Sequence, residues 1–165
     1  MTGTLPATAR AAELRRVFGV FPTGVTAIAA LVDDAPVGLA ASSFTSVSLD
    51  PPLVSVCIAH TSSTWPVLRR AGRLGVSVLG AHQEHLGRQF SAPGDRFAGT
   101  SWRATRAGEI VLDGACAWLD CSIEREIPAG DHDIILLRVH DLDADGTIPP
   151  LIFHASAFHR LGDKS

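Results

Sequence analysis

Four short segments hold most of the side chains able to do chemistry. The first is GLAASSFTSVS at residues 38–48, dense in hydroxyls beside a glycine. Small residues let a flat ligand approach the backbone, and hydroxyls and amides can bind its polar edge. The bland alternative is a Ser/Thr-rich loop that satisfies its own backbone. The second segment is His60-Thr61-Ser62-Ser63-Thr64, just ahead of a short helical stretch. Amides at a helix start carry partial positive charge and, with nearby hydroxyls, can hold a phosphate. A plain N-cap by Ser63 or Thr64 is the competing reading. Arg69 and Arg70 could add charge there or lie on solvated surface. The third is Gly130-Asp131-His132, a turn that enters an apolar strand. A histidine at such a strand start can donate to the edge of a nucleotide, with a charge tunable near neutral pH; a turn histidine without a ligand is the alternative. The fourth is Asp95-Arg96-Phe97. Arginine can pair with phosphate and phenylalanine can stack on a planar ring, or the two are a surface cation and a core aromatic.

Other chemistries lack their residues. There is no GxGxxG, no GxxxxGK[ST] and no HExxH, so the usual nucleotide cradles and zinc helices are missing. No Gly-x-Ser-x-Gly elbow is present, which argues against a serine hydrolase. His82 and His85 could share a helix face, but no third ligand stands out. Cys116 and Cys121 are placed on opposite faces of one strand and cannot chelate one ion. No metal is expected.

The elements that must position these residues follow from periodicity. Residues 1–8 read as a loose tail. Residues 9–21 read as a helix, because Leu14, Val17, Phe18 and Phe21 fall at i, i+3, i+4 and i+7. Residues 24–32 and 36–41 read as a hairpin turning at Asp33-Asp34-Ala35. Residues 53–60 form a strand opened by Pro51-Pro52, which cannot sit in a sheet centre. Residues 73–79 form another strand, with a short helix at 64–71 before it and a second helix at 81–90 after it. Ala117, Leu119, Cys121 and Ile123 alternate with Trp118, Asp120, Ser122 and Glu124, a strand with one wet face. Residues 134–139 are apolar on both faces apart from Arg138, so that strand is buried twice, within the chain or against a second subunit. Residues 151–153 and 157–161 close the chain as strands. Many short strands with tight turns and few helices indicate an antiparallel barrel.

The chain has 165 residues, 46% hydrophobic and 19% charged, which suits one domain at residues 9–165 and argues against disorder. A net charge of −3 sets a nucleic-acid partner aside. No apolar run is long enough for a bilayer and no signal-peptide core is present, so a cytoplasmic location without membrane contact is expected. Cys57, Cys116 and Cys121 fit buried thiols in a reducing compartment.

Taken in order, these segments resemble the flavin reductase-like family, whose members supply reduced flavin to two-component monooxygenases. The resemblance rests on Phe21-Pro22-Thr23-Gly24-Val25-Thr26, on GLAASSFTSVSLDPPLVSVCI at 38–58, and on the serines before Trp65. It continues through the strand at 73–79, Asp95-Arg96-Phe97, Gly130-Asp131-His132 and the closing PLIFHASAFHRL at 150–161. It covers residues 10–161.

The resemblance implies a mainly β fold, an antiparallel Greek-key split β-barrel with a few short helices, and FMN or FAD bound near a homodimer interface. It implies NADH or NADPH as hydride donor and a partner oxygenase. Thr23, Ser42, Ser43, Ser46 and Ser48 would lie along the flavin ring and its tail, with Ala41, Ser42 and Ser43 offsetting charge on the reduced ring. Ser62, Ser63 and Thr64 would meet the phosphate, with Arg96 and Phe97 nearby. His132 would lie beside the nicotinamide as the catalytic-site residue. Phe153 and His159 correspond to a family segment near the cofactor. Ala40 and Ser42 stand where many relatives have Thr and Asn, and Phe153 or Phe158 where they have Tyr, which bears on the choice between FMN and FAD. The rival readings are a non-catalytic flavin carrier, an oxidase of the pyridoxamine-phosphate type, and a plain dimerisation protein that has lost its ligand site. The second would want a basic cluster, which this chain lacks.

Overall fold

The computed structural model describes residues 6–162. Helix α1 (Ala7–Phe18) leads into β1 (Thr23–Gly24), β2 (Thr26–Val32), β3 (Ala35–Ala41), β4 (Thr45–Leu49) and β5 (Pro52–Ala59). Helix α2 (Trp65–Leu68), strand β6 (Leu74–Val78), a 3-10 turn (Ala81–Gln83) and α3 (Glu84–Ser91) follow. The remainder is β7 (Trp102–Ala104), β8 (Ile110–Leu112), β9 (Ala117–Ala129), β10 (His132–Ala144), β11 (Leu151–His154) and β12 (Ala157–Arg160). Among the described residues no helix is long and apolar enough to cross a membrane.

Seven strands pair antiparallel in the order β3-β2-β6-β9-β10-β5-β4. This sheet curls on itself. Leu39 and Ala41 on β3 share one apolar cluster with Val54, Val56 and Ile58 on β5, although several strands separate them in the pairing order. Ile28, Val76, Ile135 and Leu137 fill the space between, which makes the architecture a split antiparallel barrel. Strand β2 is buried on both faces. Ile28 and Ala30 serve the barrel interior, while Ala27 and Ala29 join Leu86, Phe90, Ile110 and Leu151 in a second cluster outside it.

Local chemistry explains the joints. Asp33 and Asp34 both adopt positive φ, 52° and 61°, as the two-residue turn of the β2–β3 hairpin requires. Gly38 lets α3 lie against β3, because a Cβ there would stand 2.9 Å from the fully buried Phe90 ring. Gly75 has the same role under β8, where any Cβ would collide with the Ile110 carbonyl.

Several expectations need correction. The first helix starts at Ala7, so Ala7 and Thr8 are not tail, and residues 1–5 lie outside the described set. It also ends at Phe18, and none of its residues is buried. The periodic stripe of Leu14, Val17 and Phe18 is exposed, and so is Phe21 at 75%. Periodicity predicted an apolar face correctly but not what it meets. On β9, Asp120 belongs to the expected wet face yet is buried, because β8 packs across β6 beside it. On β10 only Ile135, Leu137 and Val139 are buried, while Ile134 and Leu136 are half-buried, so its second face is not closed within the chain. Of the three cysteines only Cys121 is fully buried, Cys116 is intermediate and Cys57 is exposed.

Candidate functional site

At one rim of the barrel the end of β3, the end of β5, the α2 approach loop, α3 and the start of β10 surround a cavity of about 510 Å3. It brings together Ala41, Ser42, Ser43, Ser62, Ser63, Thr64, Arg96 and His132, drawn from four separated stretches of sequence. Leu39 and Cys57 also line it, and so do Ala59 and Ser91, which the sequence did not single out. Ser91 had no readable signal, because α3 delivers it through the Gly38–Phe90 contact.

Some hydroxyls here are already engaged. Ser43 Oγ accepts from the Cys57 amide at 2.8 Å and donates to the Cys57 carbonyl at 3.2 Å, continuing the β4–β5 pairing register ahead of β4. Ser62 Oγ accepts from the Trp65 amide at 3.1 Å, while Thr64, at the N-cap position of α2, makes no side-chain cap bond. Thr64 Oγ1 accepts from Arg96 Nη1 at 2.8 Å, and the same nitrogen donates to the Gly38 carbonyl at 2.8 Å. Arg96 Nε donates to the Ala92 carbonyl at 2.9 Å. Among the described residues Arg96 Nη2 has no partner and no carboxylate neutralises the guanidinium. Gln89 Nε2 holds the carbonyls of Arg96 and Ala98, both at 2.9 Å, and so pins the loop that carries this cation.

The backbone supplies further donors. The amides of Ser42, Ser43, Ser63 and Thr64 have no protein partner among the described residues. Thr23 Oγ1 is buried without a partner among the described residues. Thr23 pairs with Phe153 across β1 and β11, and Phe153 lines a small adjoining cavity of about 100 Å3 with Ala41, Ser42 and Ser91. A rim with free amides, an uncancelled guanidinium fork and small side chains suits an acceptor-rich anion attached to something flat.

His132 opens β10 opposite Ala59 on β5. Its Nδ1 donates to Asp131 at 2.7 Å, leaving Nε2 as the free edge. That hydrogen bond, and then the imidazole charge, holds the Asp131 carboxyl below the usual carboxylate range. His60 Nε2 meets Asp133 at 2.9 Å on the same rim. The two arginines of α2's flank point elsewhere: Arg69 pairs with Glu126 and Arg70 with Asp33. Glu126 also accepts from Trp65 Nε1 at 3.1 Å, which fastens α2, and the loop before it, to β9.

Besides Thr23 and Phe153, four named residues are not brought to this cavity. Ser46 and Ser48 lie on the edge strand β4, on either side of its register shift, and His159 lies on β12 against the His154 carbonyl. Phe97 lines a neighbouring cavity rather than this one.

The fold and site together are those of a split antiparallel barrel with an anion-ready, small-residue rim. A family model described as the flavin reductase like domain matches residues 18–162. The chain is 41% identical over 156 residues to an NADH:FMN oxidoreductase of Rhodococcus erythropolis, covering 91% of this chain and 81% of that one. It is 36% identical over 143 residues to the reductase subunit of a flavin-dependent monooxygenase of Mycobacterium tuberculosis, covering 85% of this chain and 76% of the relative. It spans 43% of the length of a longer relative. A solved NADH:FAD oxidoreductase of Streptomyces globisporus, in complex with NAD and FAD fragments, superposes with a TM-score of 0.89 at 35% identity, covering 99% of both chains. The chain belongs to the flavin reductase-like family.

Proposed function

We propose that this chain is an NAD(P)H:flavin oxidoreductase that moves hydride from a reduced nicotinamide nucleotide to FMN or FAD and supplies the reduced flavin to a partner monooxygenase. The observation that carries this reading is the rim cavity, with four amides and the Arg96 Nη2 that lack partners among the described residues, in a family of flavin reductases. When bound, the flavin supplies the hydride-accepting ring, and the protein supplies placement and electrostatics. Ser63 and Thr64 amides with Arg96 Nη2 would hold the phosphate. Ser42 and Ser43 amides offer donors to negative charge on the ring. His132, held by Asp131, offers Nε2 at the mouth to position the donor. No side chain is needed as a nucleophile.

The chain is further proposed to work as a homodimer. Phe18, Phe21, Val47 and Leu49 expose large apolar surfaces, Leu49 at 97%, and the second face of β10 is left half-open. Scattered apolar residues are ordinary, but large ones paired a few positions apart, Phe18 with Phe21 and Val47 with Leu49, suit a covered surface. Sedimentation of the purified chain tests this, with a monomer overturning it.

The activity test mixes protein, NADH and FMN and follows loss of the nicotinamide absorbance. Turnover is expected. Tight flavin binding with no turnover would make the chain a carrier, and neither would remove the reading.

A further inference from the structure

His132 stands at the tip of the β9–β10 hairpin, which turns on Gly130 and Asp131. Among the described residues its one side-chain hydrogen bond goes to the Asp131 carboxylate, whose side chain is 95% exposed. Water competes for both partners of such a bond, so it holds a ring weakly. Element ends are also where backbone pairing frays first. A ring that must present Nε2 to a ligand needs a firmer support than this.

His60 supplies that support from the neighbouring strand. The last register pair of β5 and β10 joins Ala59 to His132. One residue further on, the His60 amide donates to the Asp131 carbonyl at 2.9 Å. The His60 ring meets Asp133 Oδ1 through Nε2 at 2.9 Å. One residue therefore grips the chain on both sides of His132. A carboxylate only accepts, so the His60 Nε2 carries the proton in this bond whatever the charge on the ring. Asp131 feels both imidazoles: the bond and the charge of His132 lower its carboxyl most, and the His60 charge adds a smaller part. Ala59 and Thr61 line the rim cavity, and His60 does not. His132 and Asp133 are successive residues of β10 and point to opposite faces, so the His60–Asp133 bond lies behind the strand.

We propose that His60 is a positioning residue for the nicotinamide donor, which by bonding Asp131 and Asp133 fixes the stretch of chain that presents His132 Nε2 at the cavity mouth. It touches neither donor nor flavin. The inference rests on the reading of His132 as the donor's contact and adds the residue that holds His132 in place.

The test is steady-state kinetics of the full chain with NADH varied and FMN saturating, alongside FMN titration of each variant. His60→Ala should raise the KM for NADH about threefold to fivefold, with kcat and the FMN dissociation constant within about twofold. Retained FMN affinity shows that the variant is folded. His60→Gln keeps an N–H donor near the place of Nε2 and should bring KM back to within about twofold of the native value. Combined with His132→Ala, the His60→Ala change should add nothing, because a residue acting only through His132 has nothing left to act on. A native KM in His60→Ala, beside a raised KM in His132→Ala, overturns the proposal and leaves the reading of His132 standing. Additive effects in the double variant, no rescue by Gln, or an equal loss of FMN affinity also overturn it. An unchanged KM in His132→Ala removes the donor contact and this inference with it, and a native chain without turnover removes the reductase reading as well.

Discussion

Two arginines brace distant parts of the molecule and end in opposite roles. Arg73, just before β6, gives Nε and Nη2 to both oxygens of Asp120 at 2.9 and 2.7 Å. That pair is closed: the charges cancel, and the bond to Asp120 is the main reason the guanidinium is held even more firmly protonated than usual. Arg96 is tied just as firmly, but to neutral oxygens on Gly38, Thr64 and Ala92. Its charge is left over, and so is one nitrogen of its fork. The same side chain is a structural clamp on one flank and an anion receptor at the rim. The charge of the partner decides which.

The largest effect should come from Arg73→Ala, which strands the buried Asp120 carboxylate. Removing one partner of a buried pair costs about 3 kcal/mol or more, which lowers Tm by roughly 6–12 °C in a chain of this size. Flavin affinity should stay within about twofold; a large affinity loss with an unchanged melt would reverse the assignment. Next, Arg96→Met should weaken FMN binding by roughly tenfold to a hundredfold, the worth of a lost charge-assisted contact. Its melt should move by only a few degrees. Titration and thermal unfolding of the same two variants give both readings.

His132→Ala sharpens the picture of the rim. Loss of one neutral hydrogen bond should raise the KM for the nicotinamide donor about threefold to tenfold, with flavin affinity nearly unchanged. Steady-state kinetics with the donor varied would show it, and unaltered donor kinetics would remove the residue from the site. The smallest effect concerns the thiols. Burial pushes the Cys121 thiol up to about 12, and burial also raises Cys116. Exposed Cys57 lines the cavity, so at neutral pH a maleimide should label it first. Added FMN should slow that labelling a few-fold, whereas faster or equal labelling of Cys121 would contradict the closed flank.

Much of the scaffold was readable because its cues are short-ranged. The β2–β3 hairpin announced itself through Asp33-Asp34, and β5, β6 and β9 through their apolar runs. The Ser/Thr cluster and Gly130-Asp131-His132 were visible as chemistry, and the cavity does gather Ser42, Ser43, Ser62, Ser63, Thr64, Arg96 and His132. Other features depend on distant neighbours and left no local mark. Asp120 alternates like a solvent-facing residue yet is buried, paired with Gly75 where β8 packs across β6 and held by Arg73. Leu14, Val17 and Phe18 alternate like a core stripe yet are exposed.

From the sequence by itself came the strand pattern, the hydroxyl-rich segments and a family likeness, all properties of residues a few positions apart. Tertiary structure alone decided which hydroxyls remain free, which arginine keeps its charge and which apolar faces stay uncovered. Those outcomes depend on which partner arrives through space. Spacing along the chain does not encode a contact such as Arg96 to Gly38 or Arg73 to Asp120.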